Sequence, residues 1–367
     1  MRRFSTSKSF ADPFFVILLF ILVIFGLVML TSASSDLAKI KFGDSYYYLK
    51  HQLLYGLSAG LVGFFIGVFV YYRHWQKLAL PILIVSLITL VLIFSPLGSS
   101  IKGGDRWLNI GGFSFQPSEL LKLTFFIYLA SWISKNESRS KSFSQGFLPF
   151  LVLVGSVIIL LLLQPSTSTA VLIFLASILM YFTAGAKIRF LAIAILVAAL
   201  GITLVVYFSP YRMQRILTFI NPEVDQLGSS YHINQAQTAI GSGGLKGVGF
   251  GQSTTKLNFL PEPIGDSIFA VIGEEFGFIG SISVVFIFLL FIWRGIMIAK
   301  SIADPFGRML TTGFTSLIGL QVFVNIGAIS GLIPLTGVPL PFVSYGGTAL
   351  AIFLTMSGII VNISKYR

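Results

Sequence analysis

The chain contains no cysteine. That excludes disulfides, thiolate metal sites and thiol nucleophiles. Histidine is scarce too: His51, His74 and His232 are scattered, and no metal-binding helix motif includes them. Charge is the third shortage. Only 10% of the 367 residues are charged, and the acids number 13, where a soluble domain carries about 25% charged residues. Apolar residues make up 55% of the chain. Such a composition belongs to a multi-span membrane protein. The net charge of +12 suits anionic lipid heads or a substrate carrying pyrophosphate. Nucleic acid is a poor partner, because the basic residues are spread over short loops.

The apolar runs predict an all-α integral membrane protein with ten transmembrane helices. The spans fall at 13–31, 54–70, 78–95, 120–133, 147–163, 170–182, 190–208, 267–293, 310–331 and 348–363. Two of them, 120–133 and 170–182, are short for a crossing of about 20 residues. The eighth is overlong, so its first turns project outward. Residues 1–367 read as one polytopic domain, with a large extracytoplasmic loop at 209–265 between spans seven and eight. The first apolar run is too long for a signal peptide and more spans follow, so it reads as an uncleaved helix. Fifteen of the 25 Lys and Arg fall on the side that holds both termini, although the other side carries more loop residues. The positive-inside rule then places both termini in the cytoplasm.

Within this apolar background, Glu262, Asp266, Glu274 and Glu275 stand within fourteen residues. Pro261, Pro263 and Gly265 keep the start of that stretch from being helical throughout. Asp266 therefore stands where a loop runs into a membrane helix. An ionisable group at such depth is costly and marks function by default. It is equally in character for a helix N-cap, and the residues alone support both readings. Glu274 and Glu275 fit the outer interface or a basic partner on a neighbouring helix.

Three further segments carry polar chemistry on the same side. In the first, Arg106 lies in a glycine-rich loop with no evident partner and matches a phosphate. Glu119 and Lys122, three apart at the start of span four, can pair. In the second, the glycines of AIGSGGLKGVGFGQS let backbone approach a ligand, with Lys246 and Lys256 available to a pyrophosphate. In the third, GVPLPFVSYGG is non-helical, which membrane depth tolerates only inside protein or along a cavity. Ser344 and Tyr345 would line that cavity. Gln321 and Asn325, four apart on span nine, read as interhelical hydrogen bonders.

The segments RWLNIGGFSFQPSELLKL, AIGSGGLKGVGFGQS, LPEPIGDSIFAVIGEEFGFIG and PLTGVPLPFVSYGG occur in this order across nearly the whole chain. They closely resemble the SEDS family (shape, elongation, division and sporulation). Pro263 is closer to the FtsW branch than to the RodA branch, where arginine is usual. The resemblance implies a peptidoglycan glycosyltransferase of the bacterial cytoplasmic membrane, acting in cell division or cell-shape maintenance. Its substrates would be lipid II and undecaprenyl-pyrophosphate-linked glycan, and its partner a class B penicillin-binding protein within the divisome or elongasome. Asp266 matches the family's essential aspartate, the proposed general base. Arg106, Glu119, Lys122, Lys246, Glu262, Ser344 and Tyr345 are the substrate-binding candidates. Arg106 and Lys122 match basic family positions. The resemblance leaves open whether a divalent cation, Mg2+ or Mn2+, assists; metal ligands are unknown.

Three positions depart from the family pattern. Ser166 stands where an aspartate is usual in the turn 164–169, His232 where glutamine is usual, and Gly265 where threonine is usual. Two other readings compete. One is a lipid II flippase, a transporter, which accounts for the spans and the basic character without needing a carboxylate at the outer mouth. The other is a non-catalytic scaffold of a cell-wall synthase, in which Asp266 is only a cap.

Overall fold

The computed structural model describes residues 11–96, 98–101, 104–110, 113–164, 166–221, 230–257 and 259–367. Among them, eight helices are long and apolar enough to cross a membrane. They are α1 (Pro13–Phe42), α2 (Tyr47–Phe69), α3 (Tyr72–Phe94), α5 (Phe143–Leu163), α7 (Ile188–Tyr207), α10 (Ile268–Ser301), α11 (Pro305–Ile329) and α12 (Gly347–Ser364). The two segments expected to be short spans are also helices, α4 (Pro117–Ser134) and α6 (Thr167–Thr183). Their 18 and 17 residues correspond to roughly 25–27 Å of axis at ~1.5 Å per residue. Both are largely buried by neighbouring helices. That position lets α4 carry Glu119 and Lys122, which lipid would not tolerate.

The all-α expectation needs one correction. Residues expected to form a polar loop after span three build a three-stranded antiparallel sheet, ordered β1 (Gly98–Ile101), β2 (Gly104–Ile110) and β3 (Phe113–Phe115). Leu108 is buried while Asn109 is exposed, as the pleat requires of successive residues. The segment 209–265 is also more structured than a loop. It holds α8 (Pro210–Ile220) and α9 (Tyr231–Ser242); its residues 222–229 lie outside the described set.

Helix α1 continues well past Thr31, because no Gly or Pro occurs between Thr31 and Gly43, which ends it at φ 72°. Helix α2 turns its glycine face to α12. A Cβ at Gly67 would stand 2.7 Å from the backbone nitrogen of Ile359, and one at Gly56 would stand 3.0 Å from the Cα of Gly347. Only glycine permits that approach, so this face is consumed within the chain.

Asp12, ahead of α1, ties the start of that helix to the C-terminal residues Ser364 and Arg367. Its carboxylate caps α1 through the Phe15 N–H at 3.0 Å and takes bonds from Arg294 at 2.6–3.1 Å. Arg367 pairs with the same carboxylate, and the Asp12 N–H donates to Ser364 Oγ at 3.1 Å. Burial pushes this carboxyl up, but the bonds from Arg294 and Arg367 outweigh it and hold it down at about 2. A depressed carboxyl stabilises the fold above its unfolded value of 3.8 and loses that contribution as pH falls toward about 2. Such a shift is worth about 2 kcal/mol. Asp12→Asn should therefore unfold earlier than the unmodified protein at pH 6. The gap should narrow as pH drops through this window, read by thermal denaturation in detergent. A gap that stays constant into strong acid would contradict this assignment.

Helix α10 is broken. Gly277 has φ 65° and ψ −161°, which orphans the carbonyls before it and the N–H groups after it. The glycine-rich segment after α9 fills those bonds. Val248 and Gly249 donate to the carbonyls of Glu274 and Glu275 at 3.0 Å, while Phe278 and Ile279 donate to Gly244 and Leu245 at 2.8 and 3.2 Å. The expected ligand loop thus spends its backbone on a helix break. Its glycines are required because a Cβ at Gly247 would collide with the Glu275 carbonyl.

Candidate active site

Asp266 sits two residues before the start of α10. The N-cap is Ser267 (φ −90°, ψ 6°), so the cap reading of Asp266 does not describe its position. The turn that carries it bends sharply at Glu262, whose φ of 50° is rare for a residue with a Cβ. The Glu262 carbonyl accepts from Gly265 and Ser267 at 3.0 and 3.3 Å.

Several distant segments pin this turn. The Tyr345 N–H donates to the Ile264 carbonyl at 2.8 Å, and Ser344 Oγ to the Gly265 carbonyl at 2.6 Å. Asn325 Nδ2 donates to the Asp266 carbonyl at 2.8 Å and to Val338 at 2.7 Å. Three consecutive carbonyls are thereby fixed while the Asp266 side chain remains half-buried. Gly337 lies against that side chain: a Cβ there would sit 3.7 Å from Asp266 Oδ2. Pinning the backbone that carries a carboxylate is the arrangement that a pre-organised acid–base group needs.

Ser344 and Tyr345, expected to line a cavity, are the clasps of this turn. The Tyr345 hydroxyl also meets His51 Nδ1 at 2.9 Å. Burial pushes its phenol up to about 12, with Tyr48 and Tyr47 adding to the effect, so it stays protonated as a hydrogen-bond donor at neutral pH. The loop that holds both residues is braced from below. Gln321 Nε2 donates to the Pro339 carbonyl at 2.9 Å, and Gln321 Oε1 accepts from Lys122 Nζ at 2.9 Å. Lys122 also pairs with Glu119 at 2.8 Å, the pair that their spacing allows, and both are buried. Gln321 and Asn325 thus serve the loops around Asp266 rather than helix pairing alone.

Arg106 is half-buried on β2 and is engaged within the chain, which corrects the expectation of a partnerless guanidinium in an open loop. Lys246 is exposed at the glycine hook, and Glu262 is half-buried within the Asp266 turn. Lys256 is not available to a pyrophosphate. It is 7% exposed and is bound to Glu275 at 2.8 Å, Ser32 Oγ at 3.0 Å and the Gly251 carbonyl at 2.9 Å. Its neighbour Glu274 accepts from Ser253 Oγ at 2.6 Å and the Thr254 N–H at 2.9 Å. Where an aspartate is usual, Ser166 Oγ donates to Thr169 Oγ1 at 3.0 Å. Two residues later, Ser168 Oγ reaches the Thr336 carbonyl, beside Gly337, at 2.6 Å. Among the described residues, no three acidic or imidazole side chains gather to hold a metal ion.

A family model described as "Cell cycle protein", FtsW/RodA/SpoVE, matches residues 13–367. The chain belongs to the FtsW/RodA/SpoVE family. Its FtsW/RodA/SpoVE relatives include the stage V sporulation protein E of Bacillus subtilis (strain 168), 39% identical over 99% of each chain. A probable peptidoglycan glycosyltransferase FtsW of Geobacter sp. (strain M18) is 40% identical over 96% of each. Among solved structures, a chain of a peptidoglycan synthase complex that coordinates polymerization and crosslinking superposes with a TM-score of 0.80. It is 27% identical, with 96% of this chain and 97% of that one covered. The rod shape determining protein RodA of Thermus thermophilus superposes at 0.72, also 27% identical, over 97% and 98%. With this family and these helices, the chain is a multi-pass membrane protein.

Proposed function

We propose that this protein is a peptidoglycan glycosyltransferase that polymerises lipid II at the outer face of the bacterial cytoplasmic membrane. The observation that carries the reading is Asp266: outside the cap position, with its own and the two preceding carbonyls held from other segments, and a glycine beside its carboxylate. The names of the relatives supply the reaction class.

In the proposed step, Asp266 takes the proton of the acceptor sugar 4-hydroxyl. That oxygen bonds to the anomeric carbon of the donor, and the bond from that carbon to phosphate breaks. Undecaprenyl pyrophosphate leaves, with inversion. One base and a good leaving group suffice for such a displacement. Charge on the pyrophosphate needs cationic stabilisation, for which Arg106 and Lys246 are the candidates. Lys122 is closed into its pair with Glu119 and acts through Gln321 on the loop beside Asp266. A bound Mg2+ or Mn2+ would add to that cationic stabilisation.

The topology belongs to the same proposal. Ten crossings with both termini in the cytoplasm put Asp266 outside. A reporter fused after Arg367 should be active only in the cytoplasm, and a periplasmic signal would overturn this orientation.

Purified protein given lipid II in detergent tests the function, with and without a class B penicillin-binding protein. Transport has no meaning without a membrane, so glycan polymer identifies an enzyme, and more polymer with the partner supports the pairing. No polymer in either case would favour the flippase or the scaffold.

A further inference from the structure

We infer that His232, as the Nε2–H imidazole, is a positioning residue that locks the Asp266 turn through Ser267. The inference rests on the reading of Asp266 as the base and adds to it a residue that touches no substrate.

The argument begins with a proton count. Ser267 Oγ lies 2.7 Å from the Pro261 carbonyl and 2.7 Å from His232 Nε2. A hydroxyl has one proton to donate, and a carbonyl oxygen can only accept. The Ser267 proton is therefore committed to Pro261, and the Ser267 oxygen must accept from His232. The imidazole carries its hydrogen on Nε2, a tautomer assigned here by the partners it faces. Ser267 is fully buried and His232 half-buried.

The consequence is mechanical. The Ser267–Pro261 bond closes the turn across Glu262, Gly265 and Asp266, and His232 holds that closure from a separate helix. Helix α9 runs alongside the first half of α10: His232 meets Ser267, and Ile240 packs on Gly273. Beyond α9, the hook bonds to the break at Gly277. The first half of α10 is thus clamped at both ends, and His232 is the clamp beside Asp266. Without the Nε2–H donor, the Ser267 oxygen keeps a buried, unfilled acceptor site, and the turn loses its fixed registration against α9. Misplacement of a reacting group by about 1 Å can cost roughly a hundredfold in rate.

Two side chains of matched length separate donor from shape. Gln carries an amide N–H at the reach of Nε2, whereas Met fills similar space with no donor. His232→Met should lower kcat roughly tenfold to a hundredfold, with KM for lipid II unchanged, and should lower the thermal midpoint because the Ser267 acceptor is left unfilled. His232→Gln should restore most of the rate. A purely structural role would instead lower the thermal midpoint of His232→Met and leave kcat of the folded protein unchanged. Wild-type kcat in His232→Met, or equal loss in both variants, overturns the inference. Nitrogen-15 NMR of histidine-labelled wild-type protein gives a readout independent of activity and of variant folding. With three histidines in the chain, the resonance absent from His232→Gln should be a protonated Nε2 at neutral pH; a protonated Nδ1 with bare Nε2 contradicts the proposal. Asp266→Asn, assayed alongside, keeps the two readings apart. If it polymerises normally, the base assignment fails whatever His232 does; if it is inactive while His232→Met is normal, only the positioning role fails.

Discussion

Asp266→Asn should lose roughly 10²–10⁴-fold in polymerisation rate, the usual worth of a general base. The substitution keeps size and shape and removes only the basic oxygen. The fold should survive it, because the Asp266 bonds to Asn325 and the bond at Gly265 use backbone carbonyls, which the change leaves in place. The N-cap of α10 is Ser267, so no cap is lost. Glu274→Gln is the comparison. That carboxylate lies eight residues further along, about 12 Å away at ~1.5 Å per residue, and is occupied by Ser253, Thr254 and Thr255. Its replacement should weaken the segment that these residues form and leave Asp266 in place. An Asp266→Asn protein that folds and polymerises like wild type would remove Asp266 from the mechanism.

Lys256→Met should instead unfold the protein early. The Lys256–Glu275 pair is buried on both sides, with 3% and 0% of each side chain exposed. Removing one member of such a pair strands the other charge and typically costs about 3–5 kcal/mol. The double variant Lys256→Met, Glu275→Gln removes both charges and should recover most of the loss, since a neutral replacement of a buried pair is often close to neutral in stability. Thermal midpoints in detergent read both effects. If Lys256 served a pyrophosphate, the single variant would keep its midpoint and lose activity, and the double variant would stay inactive. That pattern would overturn the structural assignment.

The contrast between these two residues shows what sequence can carry. The membrane helices are legible because apolar runs must match the bilayer, and eight of the expected segments meet that demand by length and composition. Glu119 and Lys122 are legible as a pair because helical spacing alone brings them together. Asp266 stands out as an acid among apolar residues. Lys256 is misread, because its partners Glu275 and Ser32 come from other parts of the chain. The glycine hook is misread for a related reason. Its role depends on a break at Gly277, one glycine among many, and on backbone bonds that no side-chain pattern announces. The small sheet escaped because its strands are short and the segment reads as a glycine-rich turn. The clasps at Ser344, Tyr345, Asn325 and His232 are tertiary as well. Each is an ordinary polar residue until the fold sets it against residues 261–267.

These placements divide the labour around Asp266. The segment 337–345 and the Lys122–Glu119–Gln321 brace support the turn from one side, and α9 with its hook holds the first half of α10 from another. Asp266 is the group in this arrangement to which the account gives chemistry. The most direct measurement is therefore a gel of glycan chain lengths made from lipid II by wild type and Asp266→Asn, purified with equal thermal midpoints. The account predicts a ladder of long polymer from wild type and unreacted lipid II from the variant. Equal ladders from both proteins would contradict it.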